Sequence, residues 1–256
     1  MQKLTKDVIR WIKDYYKDNP DGKAIIGISG GKDSAIAAAL CVEALGADRV
    51  VGVMMPQGVQ KDIDDSLRVC FLLGIPHMVI NIGGAVNNIC YEIDCAYDYD
   101  HCCQDNPMIK TNLPSRIRMA TLYAVAALYP NSRVVNTCNF SEDYVGYSTK
   151  YGDAAGDFSP LGRLTVREVL QIGDDLGLPY ELVHKTPSDG MCGKSDEDNL
   201  GFTYEELDSF LLDFKHPSPD KYKRIMQLHN STRHKYNPMP MFNPGPMFNL
   251  NDEEMV

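Results

Sequence analysis

The chain contains no uninterrupted apolar run of about 18 residues, so nothing in it reads as a membrane span. Met1 to Pro20 holds no apolar segment followed by small residues, and no secretory signal is expected. Positive charge is in deficit. The 25 Lys and Arg face 35 Asp and Glu, for a formal charge of −10 and an isoelectric point of about 5.0. A nucleic-acid or anionic-membrane binder normally carries the opposite balance, so neither partner is expected. An anionic small substrate stays open, because a site can be locally basic. Paired cysteines are also missing. None of the 8 cysteines forms Cys-x-x-Cys, and structural zinc sites favour ligands about two to four residues apart. A metal cluster at Cys95, His101, Cys102 and Cys103 is the sharper alternative. Scattered, mostly buried thiols, kept reduced in a cytoplasmic chain, are the expected arrangement.

The composition itself is that of a globular protein. Apolar residues make up 44% and charged residues 23% of 256. That excludes a disordered chain, a fibre or a coiled coil and predicts one compact domain with a sizeable core. Leu4, Val8, Trp11, Ile12 and Tyr15 recur at helical spacing. The short apolar run at 24–28 reads as a buried strand, and 50–54, 77–80 and 133–136 read as further strands. Helix patterns at 33–45, 62–73 and 114–128 lie between them, followed by 165–176. This alternation predicts a parallel sheet of α/β type. Thr203 and Glu206 form a capping box that opens a helix through Asp213. Pro219 to His234 reads as the last helix. The stretch 94–112 is polar and aperiodic and reads as a long loop. There is no internal repeat and no obvious linker.

The most informative string is Gly27-Ile28-Ser29-Gly30-Gly31-Lys32-Asp33-Ser34, between a strand and a helix. Gly30 and Gly31 allow backbone conformations and close approaches denied to other residues. Loop amides and the free N–H groups of a first helical turn make an anion site, to which Ser29 and Ser34 add hydroxyls. It is not a Walker A loop: Gly27 stands one position too close, and Asp33 follows the lysine. A carboxylate beside a polyphosphate repels it unless a cation lies between. Mg²⁺, which takes one or two carboxylates plus phosphate oxygens, resolves that conflict. The string resembles the pyrophosphate loop of the N-type ATP pyrophosphatases, Ser-Gly-Gly-x-Asp-Ser. The resemblance implies cleavage of ATP between the α and β phosphates and activation of an oxygen nucleophile as an adenylate. It does not identify the substrate.

A second block runs from Val134 through Thr137, Asn139 and Glu142 to Thr149-Lys150-Tyr151-Gly152-Asp153 and Asp157. Thr137 falls where a strand ends, the usual ligand-facing edge of an α/β sheet. Glu142, Asp153 and Asp157 are three carboxylates near one lysine; unaided, a solvated loop explains them equally well. The block resembles ammonia-dependent NAD synthetases. Pro114-Ser115-Arg116-Ile117-Arg118-Met119 is similar to that family's Ala-Arg-x-Arg-Met helix. Lys185-Thr186-Pro187-Ser188, Ser195-Asp196-Glu197 and Arg233-His234-Lys235 match its later segments, so similar blocks span residues 27 to 235.

The resemblance implies a single-domain, Rossmann-like parallel sheet flanked by helices, of the adenine nucleotide alpha hydrolase type. Its ATP-pyrophosphatase core would cover about residues 20–190 and a helical part about 200–236, with an irregular tail at 237–256. It implies ATP-dependent amidation of deamido-NAD by free ammonia through an acyl-adenylate, releasing AMP and pyrophosphate. Residues 27–34, Thr137 and Ser188 would contact ATP. Asp33 and Glu142 would hold Mg²⁺. Arg116, Lys150, Asp157, His234 and Lys235 would contact deamido-NAD. Lys32 would help neutralise the leaving pyrophosphate, and Asp153 would hold or deprotonate ammonium. Glutamine-dependent relatives carry an amidase domain, for which no room exists ahead of residue 27. A homodimer is expected because the family usually forms one. The family often has Lys at the position of Val166, where it touches ATP; either Arg167 or Lys185 replaces it, or the contact is absent. Two rivals remain: another ATP pyrophosphatase, such as a tRNA thiolase or GMP synthetase, and a non-catalytic ATP-sensing module. The acidic charge and absent Cys-x-x-Cys oppose a thiolase; the retained Lys32, Asp33, Glu142 and Lys150 oppose the module.

Overall fold

The apolar run at 24–28 is buried on both faces, and this explains its lack of alternation. A computed structural model describes residues 1–59, 63–96, 103–184 and 196–242. In it, β1 (Ala24–Gly27), β2 (Val50–Met54), β3 (His77–Val79) and β4 (Arg133–Val134) form one parallel sheet in the order β3-β2-β1-β4. Ala24 pairs with Val50 on one side and Arg133 on the other. Successive residues serve opposite faces: Ala24, Ile26 and Ile28 enter one core, while Ile25, Val51 and Val53 enter the other.

The helices follow in chain order. They are α1 (Lys3–Tyr15), α2 (Lys32–Leu45), α3 (Ile63–Leu73), α4 (Gly83–Ala96), α5 (Pro107–Ala126) and α6 (Phe140–Val145). Then come α7 (Val166–Asp175), α8 (Tyr180–Val183), α9 (Asp196–Leu200), α10 (Tyr204–Asp213) and α11 (Pro219–Thr232). The first core lies among α1, α2, α7 and the sheet. Helix α2 is buried from Ala35 to Cys41, and its run of alanines suits a helix enclosed on all sides. The second core lies under α4 and α5. A third joins Val145, Val166, Leu207 and Ile225, and thereby fixes α6 against α10 and α11. No helix among the described residues is long and apolar enough to cross a membrane.

The expected loop at 94–112 is a misreading. Helix α4 continues to Ala96, and α5 starts at Pro107 rather than Pro114. The Asn106 side chain accepts from the amides of Met108 and Ile109, and Pro107 takes the first helical position, where its missing N–H is harmless. Pro114 lies inside the helix and interrupts its bonding without ending it. On α1, Thr5, Ile9 and Ile12 are the buried positions. Trp11 stays half-exposed, with its ring near Phe158.

Gly146 ends α6 in the left-handed region at φ 68°. A Cβ there would lie 2.1 Å from Thr232 Cβ on α11. Gly146→Ala is therefore expected to destabilise the fold by at least about 2 kcal/mol, from backbone strain plus the clash. Gly177→Ala is the control. It has a similar φ of 71° but open space around it, so strain alone of about 1–2 kcal/mol applies. Urea midpoints at unchanged m-value measure both.

Candidate active site

The strand order reverses between β1 and β4, and the crevice at their carboxyl ends is where open α/β sheets bind ligands. The Ile28–Gly31 turn leaves β1 at that crevice. Gly30 sits at φ 79°, which explains the need for glycine; Gly31 has ordinary dihedrals and acts as the N-cap of α2. The loop is held by its two serines. Ser34 Oγ donates to Gly31 O (3.1 Å) and accepts from Ser29 N (3.3 Å), and Ser29 Oγ accepts from Gly31 N (3.2 Å). The first-turn amides of α2 have no intrahelical acceptor and face the crevice end of the helix.

Lys32 is buried and donates to Asp33 Oδ2 at 2.6 Å. Burial opposes its charge, but Asp33, Glu142 and Asp196 outweigh that, and the ammonium is held above its ordinary range. Glu142 comes from β4's side of the crevice, on α6. Burial and then the nearby Asp33 push its carboxyl up to about 8, although Lys32 acts in the opposite direction. Its neighbour Asp143 is pushed up to about 7, chiefly by burial. The two acids predicted as metal ligands are thus brought together. Two residues without an assigned role complete the cluster. Asn139, fully buried, donates from Nδ2 to Asp33 Oδ1 (3.1 Å) and accepts Glu142 N on Oδ1 (3.0 Å). Asp196, also buried, accepts from Tyr147 Oη at 3.2 Å. The Asn-x-x-Glu capping box at 139–142 was the available signal for the first.

A second cluster joins α5, the 146–153 turn and the Arg233–Lys235 turn after α11. Arg116 Nε donates to Lys150 O (3.2 Å), and Lys150 Nζ donates to His234 O (2.5 Å). Lys235 Nζ donates to Gly146 O and Ser148 O, both at 2.7 Å. Arg118, to which no role was assigned, donates from Nε to Met55 O at the end of β2 (3.1 Å). All four cations rest on neutral carbonyls, and none is ion-paired among the described residues. Asp153 offsets part of the charge of Arg118 and Lys235, and four cations against one carboxylate leave a net positive charge, as an anion site requires. Asp153 lies at the edge of this cluster. Its Oδ1 accepts from Ser115 Oγ (2.6 Å) and Thr149 N (2.9 Å), so the side chain is anchored while exposed.

Three expectations fare differently. Asp157 does not join the cationic cluster: it accepts from Val134 N (2.7 Å) and Tyr123 Oη (3.1 Å), and Tyr123 is two turns beyond Arg116 on α5. Arg167, the candidate replacement for a lysine at Val166, pairs with Asp213 (3.1 Å) on α10, and Val166 is buried in the third core. Ser188 and Lys185 lie outside the described residues, as do His101 and Cys102. Cys103 is buried and Cys95 is exposed. No group of three or more His, Cys, Asp or Glu among the described residues is arranged to hold a metal ion.

A parallel sheet with a serine-braced anion loop at its switch point, facing paired acids and unpaired cations, defines a nucleotide-handling α/β enzyme. The comparisons specify which. The NAD synthase family model matches residues 4–239. The NH(3)-dependent NAD(+) synthetase of Alkaliphilus metalliredigens is 37% identical over 89% of this chain and 93% of its own. Among solved structures, the Francisella tularensis NMN synthetase superposes with a TM-score of 0.84 at 34% identity, covering 94% of this chain and 98% of that one. The NH3-dependent NAD synthetase of Campylobacter jejuni gives 0.73 at 27% identity, with the same coverage. The chain belongs to the NAD synthase family.

Proposed function

We propose that the chain is an ammonia-dependent ligase that converts deamido-NAD, ATP and ammonia to NAD, AMP and pyrophosphate. The observation that carries this reading is the adjacency of a phosphate loop with two acids and a separate cluster of unpaired cations. A nicotinate carboxylate is a poor acyl donor, because oxide leaves badly. Its attack on the ATP α-phosphorus expels pyrophosphate and makes AMP the later leaving group. Lys32, the loop amides and the Ser29–Ser34 pair hold the phosphates, with Thr137 and Ser188 assigned to ATP by family resemblance. Arg116, Arg118, Lys150 and Lys235 orient the anionic dinucleotide, beside His234. Asp153 is placed to hold ammonium. The chemistry asks for position and electrostatics more than covalent help.

Asp33 and Glu142 suit Mg²⁺, a cation that completes its shell with substrate phosphates and so needs few protein ligands. When bound, it neutralises charge developing on the pyrophosphate. Glu142 holds a proton up to about pH 8, and a cation must displace it. Apparent Mg²⁺ affinity in the presence of ATP should therefore rise up to about tenfold per pH unit between about pH 6 and 8, then flatten. Calorimetry in buffers of different ionisation enthalpy, which also counts the proton released, checks this.

A homodimer completes the reading. Ala85, Ile89 and Ile93 form an exposed apolar stripe on α4, with Ile89 36% and Ile93 40% exposed. The separation of Asp157 from the cationic cluster fits a substrate site shared by two copies. A cytoplasmic location fits the buried thiols of Cys41, Cys70, Cys90 and Cys138.

One observation favours a second reading, in which the same chemistry acts on nicotinate mononucleotide to give NMN. It is the higher TM-score on the Francisella protein, 0.84 against 0.73 at equal coverage. Assays with ATP, ammonium and either acid, counting AMP and amide product, separate the two. At least a tenfold higher kcat/KM for deamido-NAD is expected; the reverse preference establishes the second reading. ATP binding without AMP release overturns both.

A further inference from the structure

We propose that Asn139 is a positioning residue, which fixes Asp33 and Glu142 relative to each other and thereby sets the site's affinity for a divalent cation. The inference rests on the reading above that the site binds metal-ATP. Asn139 is fully buried. Its bonds go to the two acids or to the helix that carries one, its carbonyl accepting from Asp143 N at 3.0 Å. Nδ2 donates to Asp33 Oδ1 at 3.1 Å, Oδ1 accepts from Glu142 N at 3.0 Å, and the backbone N donates to Glu142 Oε2 at 3.4 Å.

A capping role alone does not account for an asparagine here. Helices α7 and α10 have the same box closed by Thr165 and Thr203 with Glu168 and Glu206. Serine, threonine and aspartate cap about as well as asparagine. What asparagine adds is a donor on a different atom from its acceptor. The oxygen stays on α6 while the nitrogen reaches the first turn of α2, 106 residues earlier in the chain. Asn139 is bonded to both Asp33 and the amide of Glu142, and two carboxylates held by one residue repel each other when both are ionised. A neutral amide between them tethers both without competing for a cation, as a lysine would.

The test separates tether from cap. Asn139→Ser and Asn139→Asp keep a good cap; the serine hydroxyl is too short to serve both sites, and the aspartate has no donor. Asn139→Ala removes both functions. Mn²⁺ binding with ATP is read by electron paramagnetic resonance, alongside Tm and the Mg²⁺ dependence of AMP release. The expected result is a Tm near wild type for Asn139→Ser, with Mn²⁺ affinity reduced roughly 10–100-fold. Asn139→Ala should lose affinity and Tm together. Asn139→Asp supplies the answer if the serine variant does not fold. Wild-type Mn²⁺ affinity in either capped variant overturns the proposal. Absence of Mn²⁺–ATP binding by the unaltered enzyme overturns instead the metal reading on which it rests.

Discussion

Asp33→Ala lowers the rate of AMP release by on the order of a thousandfold, while the fold survives. The size follows from what is removed. Preorganised charge around a developing anion contributes about 10²–10³ per group, and Asp33 is both a proposed cation ligand and the 2.6 Å partner of Lys32. The stability effect is smaller for a structural reason. Lys32 is buried, but Glu142 and Asp196 also support its charge, so the ammonium is not left uncompensated. The orphaned donor is Asn139 Nδ2, and an unmet buried donor costs about 1–3 kcal/mol. For a chain of this size that is about 2–4 °C in Tm per kcal/mol. Turnover and calorimetry on one preparation separate the two effects. Wild-type-like turnover contradicts the assignment of Asp33.

Glu142→Gln gives effects of opposite sign on activity and stability. Glutamine keeps the shape and closes the Asn139 capping box as well as glutamate. It cannot ionise, so AMP release falls at least about a hundredfold. In the unaltered protein, burial and Asp33 raise the Glu142 carboxyl from its ordinary range to about 8. The folded state therefore holds a proton that the unfolded state has released. Stability is lost as pH rises through that interval, roughly 4.5 to 8. The variant lacks this loss and should melt several degrees above the wild type at pH 8.5, with little difference at pH 5. Part of the decline persists in both proteins, because Asp143, raised to about 7, contributes its own. Melting curves from pH 5 to 9 without metal check this, and parallel curves contradict the account of Glu142.

Much of this fold is legible in the chain because its two central strands, β1 and β2, are short, apolar and buried on both faces. The anion loop is legible because Gly30 and the serines serve local geometry. What escaped was set by tertiary context. Helix α4 has Gly83 and Gly84 in its first turn and asparagines along its exposed side, and only packing of Val86 and Cys90 secures it. Pro114 looked like a helix start because proline favours the first turn, yet Asn106 and Pro107 begin the helix earlier. The meeting of Asp33 with Asn139 and Glu142 depends on β4 returning beside β1, which no local pattern encodes. Family resemblance supplied the two acids but not the amide between them. Likewise, Arg116 and Arg118 lie two apart on a helix and point to different places, so reading one role into the motif left Arg118 unassigned.

The most direct test of the adenylate route follows the carboxylate oxygens. With both carboxylate oxygens of deamido-NAD replaced by ¹⁸O, attack on the α-phosphorus must carry one ¹⁸O into AMP and leave the other in the amide. Mass spectrometry of a single turnover with ATP and ammonium should find one label in AMP and none in pyrophosphate. Unlabelled AMP, or label in pyrophosphate, contradicts the account.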